Sequence, residues 1–110
     1  MEKINENIAK KIQELQLIEQ TLQGIMMQKQ TFQLELNETL SAVEELANAK
    51  DDVYKIVGQI MIKSKKDSLD KEMKDKKNLL ELRVKNLDKQ EDSLKDRLEK
   101  LREEVMKEIK

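Results

Sequence analysis

The sequence predicts a mostly α protein: an antiparallel two-helix coiled coil with a single β-hairpin between the helices at one end. Three observations carry this reading. Charged residues make up 41% of the 110 residues, aromatics only 2%, and proline is absent. A globular core of this size draws on several large aromatic side chains, and only Phe32 and Tyr54 are present. Two long stretches space their apolar residues by threes and fours, as helices in a coiled coil do. Between them lies "DVYKIVGQIMIK", Asp52 to Lys63, rich in β-branched residues and split by a glycine. Disorder is the competing reading of so much charge, but the net charge is only −1 and the apolar residues are periodic.

The first element spans roughly residues 1–49. Its apolar residues fall at Ile4, Ile8, Leu15, Ile18, Leu22, Ile25, Phe32, Leu36, Val43 and Leu46, which trace an a/d seam. Lys11, Lys29 and Thr39 interrupt that seam. Such polar insertions weaken packing and can fix register. Gly24 costs about 1 kcal/mol against alanine in a helix interior and is read as tolerated. Asn37-Glu38-Thr39 matches a glycosylation sequon but reads as ordinary helix surface.

The middle element, residues 52–64, contains two short runs with strand composition, Val53–Val57 and Ile60–Lys63. Gly58-Gln59 between them suits a two-residue turn with glycine first. That turn sets Val57 opposite Ile60, Ile56 opposite Met61 and Lys55 opposite Ile62. One face then shows Val53, Val57, Ile60 and Ile62, the other Tyr54, Ile56 and Met61. An isolated two-stranded hairpin is marginal in water, and its open edges are templates for pairing with other chains. Its own helices can cover at most one face. The hairpin therefore reads as a subunit-assembly device made of Val53, Tyr54, Ile56, Val57, Gly58, Ile60, Met61 and Ile62.

The last element, residues 67–109, repeats the helical pattern. Met73, Leu80, Leu87, Leu94 and Leu101 recur every seven residues, and Val84, Leu98 and Val105 fill the second seam position. Lys77 and Glu91 interrupt it. Acid-to-base pairs four apart, among them Asp70–Lys74, Glu81–Lys85 and Glu91–Lys95, support an exposed helix. Ser64 or Asp67 is the expected N-cap. Residues 1–62 carry a net −4 and residues 63–110 a net +3, an asymmetry that favours pairing of the two halves with each other.

Several function classes fall away on inventory. Histidine and cysteine are absent, so the usual general base, thiol nucleophile and transition-metal ligands are missing. No Gly-rich phosphate motif is present, and no cofactor or enzymatic activity is expected. "KSKKDSLDKEMKDKK" (Lys63–Lys77) holds seven lysines but four interleaved acids and no aromatic residue, which argues against nucleic acid. No run approaches the ~18 apolar residues of a membrane span, and the amphipathic start is not a signal peptide. A soluble cytoplasmic protein is the expectation.

The order long helix, single hairpin, long helix resembles the β class of prefoldin subunits, archaeal in type. The stretches that carry the resemblance are "ELNETLSAVEELANAKDDVYKIVGQIMIK" (Glu35–Lys63) and "LLELRVKNLDKQEDSLKDRLEKLREE" (Leu79–Glu104), with "DDVYKIVGQIMIK" the most specific part. The resemblance spans essentially all of 1–110 as a single prefoldin-type domain. It implies an ATP-independent chaperone subunit that binds unfolded polypeptides and passes them to a group II chaperonin. It also implies a hexamer of two α and four β subunits, in which the hairpins form a barrel platform and clients are held at the coil tips. In this chain the tips would present Met1, Ile4, Ile8, Leu101, Val105, Met106 and Ile109; Ile4, Ile8, Leu101 and Val105 could equally close the seam, whereas Met106 and Ile109 fit it less well. The alternative function is a structural coiled-coil scaffold or filament subunit assembled through the same hairpin.

Overall fold

The structure, a computed structural model, describes residues 2–109, with side chains from residue 6 onward. Helix α1 spans Glu2–Asn48, strand β1 Val53–Val57, strand β2 Ile60–Ser64 and helix α2 Lys66–Ile109. The strands form a two-stranded antiparallel sheet with the expected register: Val57 pairs with Ile60, Ile56 with Met61 and Lys55 with Ile62. The fold class is thus the one the periodicity predicts, two long helices with one hairpin between them.

By internal contacts the chain divides into two units. The first joins α1 as far as Gln30 to α2 from Lys85 onward. Its core is Ile18, Leu22, Leu98 and Leu101, with Leu15 and Leu94 packed against it. These are the predicted seam residues of both helices, and they lie together because a three-four spacing keeps one stripe of each helix facing the other. Ile25, Leu87 and Val105 are buried along the same stripe.

The second unit covers residues 31–84 and contains the hairpin. Leu36, Leu80 and Leu46 are buried there, Leu80 with 2% of its surface exposed. At the hairpin's base Leu46 of α1, Val53 of β1 and Leu69 of α2 form a core, joined by Ala49 and Met73. Thr39, the polar member of the α1 seam, is 3% exposed, and its hydroxyl donates to the Glu35 carbonyl at 2.8 Å. The sequon reading of this stretch as plain surface therefore holds for Asn37 and Glu38 and not for Thr39.

The junctions of helix and strand use chemistry that the sequence did not advertise. The last turn of α1 has no basic residue. Lys66, the first residue of α2, supplies one: its Nζ donates to the carbonyls of Ala49 at 2.9 Å and Ala47 at 3.5 Å. A cation there satisfies orphan carbonyls and opposes the negative end of the helix dipole. Neither expected N-cap caps α2. Ser64 is held in the sheet as the partner of Val53, and Asp67 already lies in the first helical turn. The cap position falls to Lys65, whose carbonyl accepts the Leu69 amide at 3.0 Å.

Candidate functional site

The hairpin is built from its turn outward. Gly58 has φ +62°, and no non-glycine residue in the described chain has positive φ. A two-residue turn with positive φ only at its first central residue is the type II′ form, whose twist matches that of the flanking strands. The turn holds the pairing in register, and strand alternation then sorts the side chains. Val53, nearest the helices, is 9% exposed and packs with Leu46 and Leu69. Beyond it the hairpin is bare: Tyr54, Ile56, Val57, Ile60, Met61 and Ile62 are each between 47% and 69% exposed.

These six residues occupy both faces. Tyr54, Ile56 and Met61 point one way, Val57, Ile60 and Ile62 the other, as alternation requires. A concavity of about 740 Å³ opens between β1 and the adjoining helical residues, lined by Ala42, Leu46, Val53, Ile56, Leu69 and Met73 among others. The ion pair Lys55–Glu72 lies on its rim. Exposed apolar side chains on both faces of a two-stranded sheet, with unpaired strand edges beside them, form a surface suited to sheet extension by another chain.

The predicted tip residues separate into three groups. Met1 lies outside the described residues, as does the side chain of Ile4. Leu101 and Val105 are seam residues at 7% exposure each, and Ile8 is half-buried. Met106 and Ile109 are 56% and 62% exposed, three residues apart on α2 and therefore on one helical face. Ile12, at 38%, was not among the predicted residues.

Sequence reasoning also missed most of the electrostatic ties between the helices. By spacing alone Lys11 and Lys29 only interrupt the seam. Each instead meets two carboxylates of α2: Lys11 pairs with Glu108 and with Glu104 at 3.6 Å, Lys29 with Asp88 and with Glu91 at 3.5 Å. The hydrogen bond to Glu108 raises the Lys11 pKa above its ordinary value, and that to Asp88 does the same for Lys29, each partly opposed by desolvation. At the flanks Arg97 bonds Glu14 and Arg102 bonds Glu19. A signal for these pairs was available. It was one of sign: an antiparallel return of the chain sets the lysines that interrupt the α1 seam against a stretch of α2 whose seam is interrupted by Glu91.

Among the described residues no group of three acids could hold a metal ion, and no helix is long and apolar enough to cross a membrane. What remains is a class: a coiled-coil subunit that carries a bare apolar hairpin between its two helices. The chain belongs to the prefoldin subunit family, whose profile matches residues 4–110. It is 41% identical over 90 residues to a prefoldin subunit beta of Pyrobaculum calidifontis, covering 80% of this chain and 72% of that one. Against a prefoldin subunit beta of Saccharolobus islandicus it is 37% identical over 106 residues, covering 94% and 84%. The fold is similar to the crystal structure of the prefoldin beta subunit from Thermococcus strain KS-1, with a TM-score of 0.84, 33% identity and 92% and 90% of the two chains covered. The chain is thus a prefoldin chaperone subunit, similar to the beta subunits of archaea.

Proposed function

We propose that this chain is the β-class member of an archaeal-type prefoldin hexamer, two α-class subunits with four copies of this one, acting as an ATP-independent holdase in the cytoplasm. It holds unfolded polypeptides at the coil ends and hands them to a group II chaperonin. The observation that carries the assembly half is the hairpin: six exposed apolar residues on two faces bracketed by open edges. At about 25 cal/mol per Å², covering such surface favours association strongly. The hairpins extend one another's sheets, and the concavity beside β1 receives a neighbour's side chains.

Client binding is assigned to the exposed face of Met106 and Ile109, with Ile4 and Ile8 of α1 and the N-terminal Met1 contributing. The flexible, polarisable side chain of Met106 suits partners of varied shape. Leu101 and Val105, closed in the seam, support that face from beneath and add to it only where the last turns separate. Low sequence specificity follows from the chemistry, since apolar surface of this kind reads no particular sequence.

The experiment uses Met106→Ser with Ile109→Ser, which spares the buried seam. In the assembled complex this variant keeps its mass but protects an aggregating unfolded protein several-fold less well, without nucleotide, than the unaltered chain. Unchanged protection removes the tip assignment. Absence of protection by the unaltered complex favours the scaffold reading instead.

A further inference from the structure

We infer that charges set into the helix seam decide which helices pair: Lys11 and Lys29 of α1, with Asp88, Glu91, Glu104 and Glu108 of α2, admit pairing of unlike helices and reject pairing of like helices from two copies. The described seam of α1 in the first unit contains only basic charge, at Lys11 and Lys29, and both lysines are largely sheltered, 28% and 27% of their side chains exposed. Opposite them α2 offers only carboxylates, with Glu91 at 12% and Glu108 at 30%. Between the two lysines lie Leu15, Ile18, Leu22 and Ile25, and between the two glutamates Leu94, Leu98, Leu101 and Val105. Each end of the apolar block is therefore closed by a lysine held between two carboxylates.

The flanks repeat the rule with the signs exchanged. Glu14 and Glu19 of α1 meet Arg97 and Arg102 of α2. Pairing α1 in parallel with α1 of another copy would set Lys11 against Lys11, Lys29 against Lys29 and the flanking glutamates near one another. Pairing α2 with α2 would bring Glu91 and Glu108 against themselves. Sheltered like charges are costly to juxtapose, and polar seam residues select partners by this penalty more than by added stability. The apolar block alone carries no such discrimination, because leucine and isoleucine seams pair with one another in any combination. A chain whose hairpins gather several copies raises the local concentration of competing helices. That need rests on the assembly reading above; the charge pattern does not.

The chain has no cysteine, so one introduced in the seam reports pairing directly. Leu22→Cys is the reporter and Gln23→Cys, on the exposed side, the control, each in the full chain under mild oxidation with SDS gels read without reductant. With Lys11 and Lys29 intact, the seam reporter gives little disulfide-linked dimer. In the Lys11→Leu, Lys29→Leu background the Leu22→Cys chain gives about tenfold more, while the Gln23→Cys control does not follow. No increase, or an equal increase at both positions, overturns the inference, the latter because it marks unfolding. A second arm compares melting temperatures. Lys11→Glu with Lys29→Glu lowers the midpoint, and adding Glu91→Lys with Glu108→Lys recovers most of the loss. No recovery is equally fatal. Neither arm depends on client protection or on complex mass, so failure here is distinct from failure of the proposed function.

Discussion

Gly24 sits exposed in the middle of α1, and a Cβ built there meets nothing within 4 Å. Its backbone φ is not positive, so the residue meets no local conformational need. Gly24→Ala is expected to stabilise the chain by roughly 0.5–1 kcal/mol, measured as an increase in urea midpoint at unchanged slope. Gly58 is the opposite case, because its positive φ belongs to the turn. Single residues of the seam were largely legible in the sequence: Ile18, Leu22, Ile25, Leu36, Leu46, Leu80, Leu87, Leu98, Leu101 and Val105 are all buried where spacing put them. Leu69 was not, although it lies four residues before Met73 and anchors the hairpin base. A seven-residue repeat does not point to a residue whose partner is a strand. The cap escaped the sequence because Ser64 closes the sheet opposite Val53 and lies one residue before the cap position at Lys65.

Among the elements, the helices depend on more than their apolar stripes. Two of the predicted acid-to-base pairs within α2 close, Asp70 with Lys74 at 2.9 Å and Glu91 with Lys95 at 3.4 Å, while Glu81 meets Lys77 at 3.9 Å in place of the expected Lys85. Between the helices, the pairs of Lys11 and Lys29 are partly sheltered, while Arg97–Glu14 and Arg102–Glu19 are exposed. Such ties were hard to read because a lysine in a seam looks like an interruption until the helix facing it is known. Their pH dependence has a definite sign. A lysine pKa raised on folding adds stability that is complete below the unfolded value of 10.5 and is lost as pH rises through the higher folded value. Denaturation midpoints should therefore hold steady from neutrality to about pH 9.5 and fall beyond it. In a Lys11→Gln, Lys29→Gln variant that alkaline fall should be shallower. An equal fall in both chains would mean that the pairs contribute nothing measurable.

The hairpin makes its own prediction at this scale. Register and turn type were legible because two residues of glycine-first turn admit one pairing of the flanking strands. What covers the bare faces was not legible, since the proposed occupants are other chains. Ile60→Asp puts a charge on a side chain that is 65% exposed in the lone subunit. It should leave helical circular dichroism unchanged while reducing the mass of the assembled complex, read by size exclusion with light scattering. Unchanged mass would move the assembly surface elsewhere.

For the whole molecule, the fold and the family follow from agreement among periodicity, a single hairpin and similarity along residues 4–110 to prefoldin subunits. The proposed activity asks more: that copies of this chain join an unlike subunit through the hairpins and leave the coil ends free for clients. The direct test is the absolute mass, by light scattering, of this chain co-expressed with an archaeal α-class prefoldin subunit. A mass equal to two α-class subunits plus four of this chain is the predicted result. A mass that contains this chain alone, as a dimer or an open polymer, would contradict the chaperone assembly and leave a structural coiled coil in its place.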